Sequence, residues 1–120
     1  MSNSSKSFTE ITHGVTARLA TLRSGAPDVM KSFGGLGHAA LKDGALSAKT
    51  KELMALALGV AARCDPCIGY HMQALVRLGV SRQELDETLS VVVYMGGGPA
   101  LMYAANAIAA FEEFSDNAST

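Results

Sequence analysis

Apolar residues return along this chain every three or four positions, and short polar, Gly or Pro stretches interrupt them. That period is the signature of successive amphipathic helices. Ser7-Phe8-Thr9-Glu10 reads as a capping box. Phe8, Ile11, Val15, Leu19 and Leu22 follow on one face, so a first helix is expected from about Ser7 to Arg23. Ser24-Gly25-Ala26-Pro27 breaks it. Pro27 at the first helical position and Asp28 in the first turn then open a second helix. Its apolar positions include Val29, Met30, Phe33, Leu36, Ala40 and Leu41, with Gly34, Gly35 and Gly37 among them. Those glycines weaken a helix, so it is expected either to kink or to let another helix come close.

Lys42-Asp43-Gly44 reads as a turn, and Ser47 as the cap of a third helix through Arg63. From Leu53 onward that helix is apolar nearly all round, which predicts a central position. Asp65 as N-cap and Pro66 after it start a fourth helix, ending at Leu78-Gly79. Ser81-Arg82-Gln83-Glu84 is a second capping box, and the helix it opens buries Leu85, Leu89, Val92 and Val93. Gly96-Gly97-Gly98 stops that helix, and Pro99 opens a sixth to about Phe114. The short run Val91 to Tyr94 lies within a capped helical segment and is read as helix. The expectation is an all-α fold: a single domain of about six helices over 7–114, between a flexible N-terminus at 1–6 and a flexible C-terminal tail at 115–120.

Composition narrows the class. A chain of 120 residues with 48% hydrophobic positions has material for one packed core. A domain this small hides a limited share of its surface, so the apolar excess favours a homo-oligomer. The net charge of -1 and the lack of a Lys/Arg cluster argue against nucleic acid as a partner. The Ser-rich start has no apolar stretch of the secretory kind. The longest apolar run, Leu53 to Ala62, is too short to span a bilayer. The expected location is therefore cytoplasmic, with thiols kept reduced and no membrane involved.

Both cysteines sit in Cys64-Asp65-Pro66-Cys67. A bridge closing so short a loop removes little chain entropy and makes a poor staple, so redox or metal chemistry is the better account. Cys67 falls in the first turn of a helix, where free N–H groups and the helix dipole favour a thiolate. His71, one turn on, shares its face, with Cβ atoms roughly 5–6 Å apart. That spacing suits proton transfer to or from the thiol. Glu52 lies at the N-terminal end of the most apolar helix, just before Leu53, and needs a partner if it is buried. A Pro before the second Cys also occurs in thioredoxin-type dithiols, but no βαβ pattern surrounds this one.

Plainer readings compete. The cysteines can be two small core residues. With His71, and with Glu52 or His38 completing the set, they can hold zinc, although structural zinc normally uses two paired ligand sets and one is visible here. Glu52 can simply pair with Lys49 or Lys51. His13 reads as exposed, and His38 as structural or pocket-lining. Met54, Met72, Met95 and Met102 read as core or interface packing, with a hydrophobic substrate pocket as the lesser reading. Gly96 to Gly98 lacks the strand and Lys of a phosphate loop.

Taken together, Glu52, Cys64, Cys67 and His71 spell E-x11-C-x2-C-x3-H. This resembles the signature of AhpD-like alkyl hydroperoxidases in the carboxymuconolactone decarboxylase superfamily. Leu46-Ser47 before Lys51-Glu52-Leu53, Gly79-Val80-Ser81, and Gly97 to Ala100 fall where that superfamily has similar segments. The resemblance covers about Pro27 to Phe114. It implies an all-helical subunit assembling into trimers or hexamers, and a dithiol that reduces organic hydroperoxides without a cofactor or metal. It makes Cys67 the peroxide-attacking residue, Cys64 the resolving one, and His71 with Glu52 the proton relay. It also implies an external dithiol reductant or a peroxiredoxin-type partner. The sequence departs from the AhpD pattern at Pro66, where well-characterised members carry a further His. The decarboxylase branch typically lacks the dithiol, which argues against lactone decarboxylation. Two alternatives stay open: a dithiol reductant that recycles a partner's disulfide, and a non-catalytic helical oligomer with or without zinc.

Overall fold

The computed structural model describes residues 6–119. Most of the N-terminal segment expected to be flexible, and Thr120 at the other end, therefore lie outside the described residues. The chain forms α1 (Phe8–Gly25), α2 (Pro27–Leu41), α3 (Ala48–Ala61), α4 (Asp65–Arg77), α5 (Arg82–Gly96) and α6 (Gly98–Ser119), with no strand among the described residues. The all-α expectation holds, and both capping boxes form with the expected residues: Ser7 with Glu10, and Ser81 with Glu84. α6 continues past Phe114, because Ser115 to Ala118 contains neither Gly nor Pro to stop it.

α3 and α4 together form the centre of the molecule, and α3 touches α2, α4, α5 and α6. α4 packs against α1, α3 and α6, while α5 leans on α3 and α6. Ile68, Met72 and Leu75 of α4 are fully buried, together with Leu56 of α3 and Leu85 of α5. Each such side chain contributes roughly 1.5–3 kcal/mol of burial. α3 spends its apolar surface on two sides. Leu56 and Val60 enter the core, whereas Met54 and Leu58 stay 52% and 71% exposed. The sequence pattern of α3 thus marks a helix with two apolar faces, only one of which this chain covers.

α2 buries no residue, and Val29, Phe33 and Leu36 face outward. A Cβ placed on Gly34, Gly35 or Gly37 meets nothing, so no other helix of this chain approaches them. α2 is a single uninterrupted helix, so neither expectation for these glycines is met within the subunit.

The N-terminal helix is held by the C-terminal one. Glu113 of α6 accepts from the backbone N–H groups of Phe8 and Thr9 at 3.0 and 2.9 Å, and from the Thr9 hydroxyl at 2.6 Å. These are orphan donors of the first turn, which a carboxylate satisfies well. Burial disfavours the charged form of Glu113, but the bonds from Thr9 and Phe8 outweigh it and hold the carboxyl below the ordinary Glu range. Further along α1, the Tyr70 hydroxyl of α4 donates to the Thr12 carbonyl at 2.8 Å and shares a hydrogen bond with the Thr16 hydroxyl.

Candidate active site

The site begins where α3 ends. Ala62 caps α3, and Arg63 then turns into the left-handed region at φ 59. The Arg63 N–H donates to the Val60 carbonyl at 3.1 Å and the Cys64 N–H to the Gly59 carbonyl at 3.0 Å. This is the Schellman pattern, normally closed by glycine. Gly79 closes the same pattern at the far end of α4, at φ 78. Arg63 does so with a side chain, at a conformational cost of ~1 kcal/mol or more. The chain reverses within three residues, and Cys64 arrives at the start of α4.

Cys64, not Asp65, is the N-cap of α4, and its sulfur accepts from the Cys67 N–H at 3.2 Å. The expected cap fails because the tight turn already brings the Cys64 sulfur over the first-turn amides. The Cys67 amide therefore serves the Cys64 sulfur. The two sulfurs are joined as a disulfide, with Cα atoms 5.2 Å apart, a separation usual for such bridges. Both residues are half-buried. Gly59 makes the close approach of α3 possible: a Cβ there would stand 3.1 Å from the Cys67 Cβ.

Glu52 of α3 and His71 of α4 meet directly, Oε1 to Nδ1 at 2.6 Å. Their side chains are 12% and 29% exposed, so the carboxylate is the more enclosed partner. The plainer pairing of Glu52 with a nearby lysine does not form. Lys49 bonds Glu84 at 2.9 Å, and the Lys51 ammonium reaches the Lys42 carbonyl at 2.8 Å. With Nδ1–H donating to the carboxylate, the other ring nitrogen of His71 carries the lone pair and is the basic atom. A base oriented by a carboxylate, one helical turn from a thiol, can remove that thiol's proton.

A further pair was not anticipated. Asn106 of α6 donates from Nδ2 to Oδ1 of Asp65 at 3.0 Å, tying one of the two residues between the cysteines to the neighbouring helix. One signal pointed to it: Asn106 is the lone amide in the apolar run Pro99 to Phe111. The remaining histidines lie elsewhere, His13 exposed on α1 and His38 exposed on α2. Among the described residues, no group of three or more His, Cys, Asp or Glu side chains is placed to hold a metal ion. Met72 is buried in the core, while Met54, Met95 and Met102 are surface residues. No described helix is long and apolar enough to cross a membrane.

Comparison with known proteins gives a consistent result. The model of the carboxymuconolactone decarboxylase family matches residues 27–110. An uncharacterised protein of Cupriavidus necator is 39% identical over 98 residues, covering 82% of this chain and 87% of the relative. An uncharacterised protein encoded in the cox locus of Paracoccus denitrificans is 32% identical over 93 residues, covering 78% and 83%. Among solved structures, a carboxymuconolactone decarboxylase family protein from Legionella pneumophila, in its apo form, superposes with a TM-score of 0.88 at 57% identity, covering 90% of this chain and 96% of that one. A family member from Thermotoga maritima, for which a part in the antioxidative response has been suggested, matches with a TM-score of 0.70 at 34% identity, covering 75% and 93%.

Proposed function

The chain belongs to the carboxymuconolactone decarboxylase family, and from that premise we propose that it is a thiol-dependent peroxidase acting on organic hydroperoxides. The observation that carries the reading is the 2.6 Å contact between Glu52 and His71, on the helix that bears the dithiol. The antioxidative role suggested for the Thermotoga maritima relative points the same way.

In this mechanism the carboxylate of Glu52 fixes His71, and the free ring nitrogen takes the proton of Cys67. The thiolate attacks the terminal oxygen of the hydroperoxide. An S–O bond forms, the O–O bond breaks, and the alkoxide leaves as alcohol with the proton His71 holds. Cys67 is now a sulfenic acid. The Cys64 sulfur attacks it, a water molecule leaves, and the disulfide forms. The 5.2 Å separation of the two Cα atoms suits this closure without backbone rearrangement. An external dithiol then reopens the bridge by exchange, supplying two electrons and two protons. A cytoplasmic location, where such reductants are maintained, belongs to this reading.

The same reading makes the working form an oligomer, a trimer or hexamer. Support comes from the uncovered apolar surface: α2 presents Val29, Phe33 and Leu36, and α3 with α5 presents Met54, Leu58, Val91 and Met95.

A second reading keeps the site and changes the substrate: a dithiol that reduces the disulfide of a peroxiredoxin-type partner. Pro66 favours it: beside His71 it adds no second proton donor for a departing alkoxide, whereas a thiolate leaves a disulfide without one. A thiol titration of the reduced protein separates the two. Loss of two thiols per chain after one equivalent of organic hydroperoxide supports the peroxidase. Retention of both thiols removes it and leaves partner-disulfide reduction.

A further inference from the structure

We propose that Asp65, held in place by Asn106, restrains ionisation of the reduced dithiol and so makes the pair a readier electron donor to disulfides. The inference rests on the dithiol reading above and adds a residue to it that acts through the cysteines, a positioning role.

Asp65 occupies the first helical position of α4, between the two sulfurs in sequence. Its carboxylate caps nothing in its own helix; it is drawn sideways to Asn106 Nδ2 at 3.0 Å, a partly buried bond to a residue 41 positions away. Meanwhile the first-turn amide of Cys67 is aimed at the Cys64 sulfur. On reduction, a thiolate at the start of α4 and the Asp65 carboxylate draw on the same positive helix end. Like charges disfavour each other's ionisation. The disulfide carries no charge and does not feel the carboxylate. Asp65 therefore raises the free energy of the ionised reduced pair relative to the bridge. Without Asn106 the carboxylate is free to swing into solvent, where water screens its field. Asp65 and Asn106 both border an open cleft of about 530 Å³ between α1 and α6, so some screening persists and the effect is modest.

The electron balance is that of thiol–disulfide exchange. Oxidation of the pair forms one S–S bond and releases two electrons and two protons. A disulfide acceptor takes them, its S–S bond breaks, and two thiols result. Destabilising the ionised donor shifts this exchange toward the protein disulfide.

The test uses the full chain and two readouts near pH 8: the alkylation rate of the reduced protein with iodoacetamide, and the equilibrium of the pair against oxidised and reduced dithiothreitol. Asp65→Asn and Asp65→Ser are expected to alkylate about three- to tenfold faster, and to shift the equilibrium by a similar factor toward the dithiol form. Asn106→Ala is expected to move both readouts the same way by less, and to add nothing in an Asp65→Asn background. A merely structural Asn106 would lower the melting temperature in both backgrounds and leave both readouts alone. Rates and equilibria within twofold of wild type in the two neutral variants overturn the proposal, as does an Asn106→Ala effect that persists without Asp65. Neither readout involves peroxide, so a protein inert to hydroperoxide but responsive here loses only the peroxidase reading.

Discussion

Oε1 of Glu52 and Nδ1 of His71 lie 2.6 Å apart, joining α3 to α4 across 19 positions of sequence. A carboxylate 12% exposed with an imidazole as its partner fixes the ring more firmly than packing alone would. Glu52→Gln keeps the shape but loses the carboxylate that accepts from Nδ1 and orients the ring. Peroxide-driven thiol loss is expected to slow about 100-fold near neutral pH in Glu52→Gln and in His71→Ala. The rate should recover above about pH 8.5, where a thiol ionises unaided. Stopped-flow thiol loss across pH checks this, and a His71→Ala rate equal to wild type at every pH would sink the relay.

The two cysteines are expected to fail differently. Cys67→Ser should abolish both peroxide consumption and disulfide formation. Cys64→Ser should still consume one equivalent and stop with Cys67 as a sulfenic acid, visible in the intact mass as one added oxygen. If the oxygen appears on Cys64 in Cys67→Ser instead, the two roles are reversed. The hydrogen bond from the Cys67 amide to the Cys64 sulfur makes that comparison informative, because it favours negative charge on the residue assigned to resolve.

Gly59→Ala tests the approach of α3 to the dithiol. The added methyl would meet the Cys67 Cβ at 3.1 Å and the Cys67 carbonyl carbon at 3.7 Å. Cys67 lies in the first turn of a packed helix and has little room to retreat, so a loss of about 1–3 kcal/mol in stability is expected. Disulfide closure should slow as well. Denaturant unfolding measures the first effect, and unchanged stability would mean that α3 and α4 slide apart freely.

The clasp of Glu113 on α1 is expected to fail in acid. Because the folded-state carboxyl lies below its ordinary range, the clasp contributes fully above the unfolded Glu value of about 4.3 and is lost as pH falls through the lowered value. Melting temperatures of wild type should therefore drop between about pH 5 and pH 3, and those of Glu113→Gln should drop less over the same range. Parallel curves for the two proteins would show that another carboxylate governs the acid transition.

Much of this architecture was legible in the chain, because local chemistry wrote it. Ser7 with Glu10 and Ser81 with Glu84 mark helix starts by the same bonds in sequence and in structure, and Pro27 marks one by its fixed backbone angle, without a capping bond. The spacing of Glu52, Cys64, Cys67 and His71 pointed to a constellation, but the meeting of Glu52 and His71 depends on how α3 and α4 pack, which periodicity does not encode. The start of α4 was misread for a related reason. Asp65 is the better capping residue by composition, yet the left-handed turn at Arg63, a residue that rarely adopts it, hands that place to Cys64. The central place of α3 was legible too, but not its open side, because an apolar surface reads alike whether its own chain covers it or leaves it open, as at Leu58. Asn106 was passed over because one amide in an alanine-rich helix has no meaning until its partner on another helix is known.

The bond from the Cys67 amide to the Cys64 sulfur has a spectroscopic use. A backbone proton that donates to a sulfur changes its magnetic environment when that sulfur passes from bridge to thiol or thiolate. The Cys67 amide resonance thus serves as a label-free gauge of the oxidation state of the pair. Followed in an isotope-labelled sample, it would report each turnover from within the backbone, with no probe attached to either cysteine.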